Sequence, residues 1–180
     1  MADTNPQTEV WVRRMLFIVL ALVIMFSQLL PLPSSPERWP GPDLLVALCF
    51  AWAFRRPDYV PALSVAAVFL LADLLFQRPP GLWAALMVLA TEFLKRRTMQ
   101  VRDMPYLVEW MTVASTLLIA TFAYRSILSI MLIDQAPLGT TLIQTVMTLL
   151  AYPVVAALSQ VAFGVRKAAP GEVDALGHRL

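Results

Sequence analysis

The sequence is poor in the residues from which active sites are most often built. It contains one cysteine, Cys49, and one histidine, His178, in 180 residues, and only 14% of the residues are charged. A lone thiol forms no disulfide within the chain, and a histidine in the C-terminal tail leaves the interior without the commonest general base and metal ligand. Motifs for nucleotide, nucleophile or nucleic-acid chemistry are missing as well. The sequence therefore predicts no enzyme, no cofactor, no metal and no nucleic-acid partner.

Apolar residues, in contrast, make up 59% of the chain, which is too many for a soluble domain. Six apolar stretches, separated by segments with proline, glycine or arginine, predict six membrane-spanning helices. Their predicted bounds are 15–30, 42–54, 59–76, 82–94, 105–128 and 140–163. The expected fold is an all-α integral membrane protein in which residues 1–165 form one six-transmembrane-helix bundle and residues 166–180 form a cytoplasmic tail.

The first apolar stretch has one alternative interpretation, as a signal peptide, because Arg13 and Arg14 precede it. The stretch is long enough to span a bilayer, and no small-x-small cleavage site follows it in the proline-rich residues 31–36. We therefore expect a first helix that is retained.

The basic residues predict the orientation of the bundle. With six spans, one side carries eleven lysines and arginines and the other carries three. The larger set is Arg13, Arg14, Arg55, Arg56, Lys95, Arg96, Arg97, Arg102, Arg166, Lys167 and Arg179, and the smaller set is Arg38, Arg78 and Arg125. The positive-inside rule places the larger set and both termini in the cytoplasm. The basic segment 95–104 is expected to be a loop that contacts anionic lipid, with a docking surface for a cytoplasmic partner as the alternative.

The second and fourth stretches are short for membrane spans. Thirteen residues, as in 42–54, rise about 20 Å, whereas the hydrocarbon core is about 30 Å thick. They are either re-entrant segments or true spans around which the bilayer thins. The charge bias favours true spans, because a re-entrant second helix would move Arg55 and Arg56 to the outside.

Two carboxylates near the outer ends of the second and third helices are candidates for structural or partner-binding roles. Asp43 opens the second helix and shares a face with Ala47 and Ala51, whose small side chains allow close helix approach. The inward orientation competes with a simpler one, in which Asp43 only interacts with the N-terminal dipole of its own helix.

Asp73, late in the third helix, shares a face with Ala66 and is expected to point into the bundle. We predict that it pairs with Arg125 on the fifth helix, with Arg78 as the second candidate. In the alternative, Asp73 extends to water at the membrane surface. Acid–base catalysis by the two carboxylates ranks low, because no hydroxyl–base pair lies nearby in the sequence.

The sixth helix carries polar residues at three- and four-residue spacing, followed by Pro153. The polar residues are Thr141, Gln144, Thr145, Thr148 and Tyr152. Hydrogen-bonded helix packing is the preferred interpretation, and a small-molecule cavity is the alternative. Pro153 is expected to free a backbone carbonyl and kink the helix. An interfacial belt is expected from Trp39, Trp52, Trp83, Trp110 and Tyr106. Glu109 is expected to interact favourably with the N-terminal dipole of the fifth helix.

The order and spacing of several short motifs resemble those of the rod-shape-determining MreD family. The residues concerned are Trp39-Pro40-Gly41-Pro42-Asp43, Trp52, Arg55-Arg56-Pro57, Ala72-Asp73-Leu74, Gly81-Leu82 and Tyr152-Pro153. The resemblance covers essentially the whole chain. One departure is Phe69, where many family members have a glycine, four residues before the aspartate of the third helix.

The resemblance implies a non-catalytic scaffold of the bacterial cell-elongation machinery in the inner membrane. It implies MreC as a direct partner, actin-like MreB on the cytoplasmic side, and the elongation transpeptidase with its polytopic glycosyltransferase nearby. It also implies a fold similar to the substrate-binding subunits of energy-coupling-factor transporters. A small-molecule or lipid-binding transport subunit is therefore the alternative function, and membrane lipid is an expected contact in both cases.

Overall fold

The computed structural model describes residues 6–30, 40–100 and 106–165, and all structural statements concern this part of the chain. The described residues are helical, without any strand. The six α-helices are α1 (Pro6–Leu29), α2 (Leu44–Arg55), α3 (Ala62–Leu75), α4 (Leu82–Gln100), α5 (Tyr106–Ile130) and α6 (Leu138–Phe163), and a 3₁₀-helix spans Pro57–Tyr59.

Three of the helices have the length and apolarity of membrane spans. They are Gln7–Leu29, Tyr106–Ile130 and Leu138–Phe163. α2 and α3 are apolar but shorter, and α4 ends in a basic turn. The expected all-helical fold is therefore confirmed for the described residues, and its long apolar helices are compatible with a membrane protein.

The helix bounds differ from the predicted ones mainly at charged helix ends. α1 begins at Pro6 rather than at residue 15, and an i,i+4 ion pair between Glu9 and Arg13, 3.7 Å apart, stabilises the added turns. α4 continues to Gln100 rather than ending at residue 94. The predicted loop at 95–104 is therefore wrong for residues 95–100, because charged side chains at helical spacing continue a helix as readily as they end one.

Some predictions fall outside the described residues. They concern Arg38, Trp39, Arg102, Arg166, Lys167 and Arg179, the proline-rich segment after the first helix, the start of the fifth span at residue 105, and the tail 166–180.

α2 is the central helix of the bundle. Every residue from Leu45 to Arg55 is buried, and the helix packs against α6, α4 and α1. A helix that is apolar on all sides lies either in a protein core or in lipid, and α2 lies in the core of the bundle. Its 12 residues rise about 18 Å, which is much shorter than the neighbouring α6.

α2 and α6 run parallel along this centre. The backbone N–H of Asp43, at the start of α2, donates to Thr148 Oγ1 at 2.8 Å. Near the other end, Trp52 Nε1 donates to Ser159 Oγ at 3.0 Å. Because both residue numbers increase together, the two helices point in the same direction.

The packed pairs α5–α6 and α3–α4 are antiparallel. Tyr152 of α6 contacts Glu109 near the start of α5 at 2.8 Å, whereas Thr141 contacts Arg125 near its end, also at 2.8 Å. α3 and α4 form a hairpin through the short connection 76–81. The chain therefore runs up and down through the bundle, and its helix ends collect at two opposite ends.

One of these ends carries arginines from α1. Arg14 Nε donates to the carbonyl oxygen of Asp58 at 2.9 Å, and Arg13 donates to the carbonyl oxygen of Phe163. This end, defined by Arg13, Arg14, Asp58 and Phe163, is termed the basic end. The opposite end contains the connections 76–81 and 131–137.

Candidate functional site

Asp73 caps α4 instead of pairing with an arginine. Its Oδ2 accepts the backbone N–H groups of Gly81 at 3.0 Å and Ala84 at 3.2 Å. Gly81 has a φ of +86°, which glycine adopts at little steric cost, so it turns the chain and presents its N–H to the carboxylate. Asp73 is fully buried, which confirms its inward orientation. The predicted pair with Arg125 is wrong, because Oδ2 bonds to the free N–H groups at the start of α4 and Oδ1 has no partner within the described residues.

Asp43 joins α2 to α6. Its Oδ1 accepts the N–H of Val46 at 3.1 Å and caps α2, as the dipole interpretation predicted. Its own N–H donates to Thr148 on α6. Asp43 therefore fixes where the short central helix starts relative to its long neighbour.

Arg125 and Arg78 hold the opposite end together without pairing to an acid. Arg125 Nη1 donates to the carbonyl oxygen of Ala136 at 2.9 Å and to Thr141 Oγ1 at 2.8 Å, which fastens the 131–137 connection to α6. The Arg78 guanidinium lies over the indole ring of Trp83, 6.0 Å from its centroid. Within the described residues, neither arginine lies within ion-pair distance of a carboxylate.

A buried charged cluster lies toward the basic end and joins α2, α5 and α6. Arg55 Nε is 3.6 Å from Glu109 Oε1, and Tyr152 donates its hydroxyl to the same oxygen at 2.8 Å. Arg55 Nη1 also donates to the Ala156 carbonyl oxygen and to Gln160 Oε1, both at 3.1 Å. Glu109 is fully buried, and Arg55 is 8% exposed. The cluster therefore links three helices through charge-assisted hydrogen bonds in a site that excludes water.

Sequence reasoning missed this cluster. It placed Arg55 among the topological charges and assigned Glu109 to the dipole of α5. The available signal was Tyr152, the last residue of the polar stripe of α6, which is buried. A buried tyrosine hydroxyl requires a hydrogen-bond partner, here on another helix. Removing one partner from such a cluster leaves an uncompensated buried charge.

Trp52 is a core residue and not part of an interfacial belt. It is fully buried, donates to Ser159, and lies within 6.3 Å, centroid to centroid, of the rings of Phe17, Tyr59 and Phe163. The predicted belt is wrong for Trp52 because the indole finds its hydrogen-bond acceptor inside the bundle.

Pro153 lies inside α6, which continues to Phe163. A proline lacks the N–H that would bond to the carbonyl four residues earlier, that of Leu149. Trp110 Nε1 donates to the Leu149 carbonyl oxygen at 3.1 Å. The prediction that Pro153 frees a carbonyl is confirmed, and α5 supplies the replacement donor.

The predicted small-residue surface on α2 does not face outward. Ala47 is 1% exposed and Ala51 is fully buried, whereas Ala66 on α3 is half-buried. Pro57 begins the 3₁₀-helix that follows α2. The alanines of α2 allow other helices of this chain to approach closely, because α2 lies at the centre and not at the edge of the bundle.

A cleft of about 370 Å³ opens at the opposite end. It exists because α2 starts beside Thr148, ten residues into α6, which leaves about 15 Å of α6 without a central neighbour. The cleft is lined by the polar stripe of α6 from Thr141 to Thr148, by Asp43, and by residues of α4, α5 and the two connections, including Arg78, Trp83 and Arg125. The polar stripe therefore serves both helix packing and the wall of a cavity, which the sequence posed as alternatives.

The cleft contains one buried hydrogen-bond donor that lacks an acceptor within the described residues. The indole Nε1–H of Trp83 is buried and donates to no acceptor within the described residues. Arg78 contacts aromatic rings and no carboxylate at ion-pair distance. The described residues contain no cluster of histidine, cysteine, aspartate and glutamate suited to a metal ion. The arrangement is suited to holding a ligand rich in oxygen acceptors.

Comparison with known proteins gives no match for this chain. No family model matches it, and no curated protein or solved structure matches it either. The resemblance to the MreD family thus stands as a prediction from the motifs of the sequence, and the fold is described by its own geometry.

Proposed function

We propose that the chain crosses the inner membrane of a bacterium six times, with both termini in the cytoplasm. The alternating helix directions support this topology, since each connection then lies on the side that the positive-inside rule requires. Arg14 contacts the connection between α2 and α3, and Arg13 contacts the end of α6, so these segments share one side. The short α2 needs no local thinning of the bilayer, because protein and not lipid surrounds it.

Accessibility of single cysteines tests this topology. Cys49 is buried, and its replacement by alanine gives a background for Asp58→Cys at the basic end and Asp134→Cys at the opposite end. A membrane-impermeant thiol reagent added to intact cells is expected to label Asp134→Cys alone. Labelling of Asp58→Cys from outside would disprove the topology, and labelling of both after permeabilisation serves as the control.

The function we propose is that of a non-catalytic scaffold subunit of the cell-elongation complex, which supports cell shape and lateral peptidoglycan synthesis. The observation that supports this proposal is that the motif residues form contacts inside the bundle. Asp43, Trp52, Asp73 and Gly81, on which the family resemblance rests, make inward contacts between helices. They stabilise one arrangement of the bundle and leave its outer faces for neighbouring proteins and lipid.

The surface for a partner helix lies, in this proposal, on the outer face of α5. Leu107, Val108, Met111, Thr112 and Ser115 line a shallow groove there. The hydroxyls of Thr112 and Ser115 bond to carbonyl oxygens of their own helix, so they present small, satisfied surfaces. Small residues of this kind allow a second helix to approach closely in a membrane. MreC is the partner implied by the resemblance, with MreB, the transpeptidase and the glycosyltransferase joined through the same assembly.

Co-purification tests the scaffold function. The chain, solubilised from bacterial membranes, is expected to carry MreC, and Ser115→Trp is expected to reduce the recovered MreC by filling the groove. Val154→Trp, at an exposed position of α6, is the matched control for added bulk and should retain it. Equal recovery with both variants would remove the groove from the proposal, and purification without MreC from native membranes would contradict the scaffold function itself.

A further inference from the structure

The cleft at the opposite end carries more than a packing role requires. Packed helix interfaces satisfy their buried donors, whereas the Nε1–H of Trp83, which is 7% exposed, has no acceptor within the described residues. The Arg78 guanidinium lies over the indole ring of Trp83. Arg125, on the facing helix, uses Nη1 for the 131–137 connection. Three donor-bearing side chains from α4, α5 and the 76–81 connection therefore line one cavity.

We propose that this cleft binds a phosphate group through Arg78, Arg125 and the indole Nε1–H of Trp83. Guanidinium groups present several N–H donors in a planar fork that matches the geometry of phosphate oxygens. A neutral indole donor adds a directed hydrogen bond without adding charge. The cleft volume of about 370 Å³ lies within the usual range for small-ligand pockets.

The acidic residues that line the cleft leave room for an anion. The carboxylate of Asp43 accepts the N–H of Val46 and lies at the N-terminus of α2, whose dipole offsets its charge. Asp134 is solvent-exposed on the 131–137 connection. Arg78 attracts both Asp43 and Asp73 electrostatically, but neither contacts it at ion-pair distance within the described part of the chain. Its donors therefore remain available to a ligand.

The rim of the cleft favours a phosphate that belongs to a lipid. The end of α5 and the start of the following connection are highly exposed at Ile130, Met131 and Leu132. The connection continues directly into the cleft-lining residues 133–136. Three successive exposed apolar residues beside a polar cavity suit an amphiphile whose acyl chains leave the cavity along them. A soluble phosphate ester shares the headgroup chemistry but gains nothing from this rim. The inference does not depend on the scaffold function.

Native mass spectrometry of the detergent-solubilised chain, titrated with phosphatidylglycerol, tests the proposal. We expect one saturable lipid adduct, and Arg78→Gln should weaken it by about tenfold, as is typical for loss of a charge-assisted hydrogen bond. Trp83→Phe keeps the ring beneath Arg78 and should weaken it by about threefold or more through the lost donor. Trp11→Phe is the matched control for Trp83→Phe, because an arginine, Arg14, also lies over the ring of Trp11. It should bind as the unaltered chain does.

Inorganic phosphate distinguishes the two sources of the ligand. Thermal stabilisation of the solubilised chain by phosphate, and not by chloride at equal ionic strength, would assign the cleft to a soluble phosphate. Binding of phosphatidylglycerol alone would assign it to lipid. Arg78→Lys, which retains the charge but not the fork, should restore only part of the binding and controls for folding. Equal loss in Trp83→Phe and Trp11→Phe, or no binding of either probe, would overturn the proposal.

Discussion

The indole of Trp110 on α5 donates to the carbonyl oxygen of Leu149 on α6, 3.1 Å away, and so replaces the donor that Pro153 lacks. This contact makes the proline tolerable inside a long apolar helix. A free carbonyl in hydrocarbon costs several kcal/mol, by order of magnitude. The proline and the tryptophan are thus one structural unit, although they lie on different helices.

Trp110→Phe is expected to lower the free energy of unfolding by about 1–3 kcal/mol, because it leaves the Leu149 carbonyl without a donor. In a Pro153→Ala background the helix supplies its own N–H, so the same substitution should cost clearly less. Thermal unfolding in detergent measures both effects. The control is Trp11→Phe, at an exposed position of α1. Equal costs in the two backgrounds would contradict the coupling.

The buried cluster gives a second prediction. Glu109→Ala is expected to destabilise the chain by about 3–5 kcal/mol, because Arg55 is left as an uncompensated buried charge. Tyr152→Phe removes one hydrogen bond to a charged group and should cost about 1.5–3 kcal/mol. Chemical denaturation in mild detergent compares the two. The matched control is Glu92→Ala, because the Glu92 side chain is 39% exposed and pairs with Lys95 on the same helix. A cost for Glu109→Ala no larger than that control would show that the cluster is dispensable.

A third prediction distinguishes the observed cap of α4 by Asp73 from the ion pair between Asp73 and Arg125 that the sequence predicted. Asp73→Ala should cost about 1–3 kcal/mol through two lost acceptor bonds. Gly81→Ala should cost about 1 kcal/mol through the left-handed φ, and part of that cost should vanish when Asp73 is already alanine. Combination with Arg125→Gln should be additive, because Asp73 and Arg125 share no bond. Double-mutant cycles from thermal unfolding decide, and coupling with Arg125 would restore the rejected pair.

The sequence predicted helix number and approximate positions well, because apolar runs and their proline or arginine boundaries are local signals. Asp73 was correctly expected to point inward, and Pro153 was correctly expected to free a carbonyl. The partners of these residues could not be predicted. Glu109 and Arg55 are far apart in the chain, and nothing in the spacing of either one indicates which helix faces it.

The position of α2 illustrates the same limit. Its alanines predicted a close helix contact, which exists, but not that the contact lies within the chain. Burial on every side depends on the arrangement of α1, α4 and α6 around it. A single sequence indicates that a helix face can pack closely against another helix, but not which helix packs there.

The dependence of α2 on α6 has a consequence for biosynthesis. The bonds from Asp43, Trp52 and Arg55 to α6 each join residues more than 100 positions apart. During translation, α2 is therefore synthesised long before α6, and its polar ends and Trp52 form these hydrogen bonds only after α6 has been made. A ribosome that stalls before α6 would release a nascent chain in which the polar groups of α2 lack their hydrogen-bond partners in the bilayer. Such a chain is the kind of substrate that membrane proteases remove.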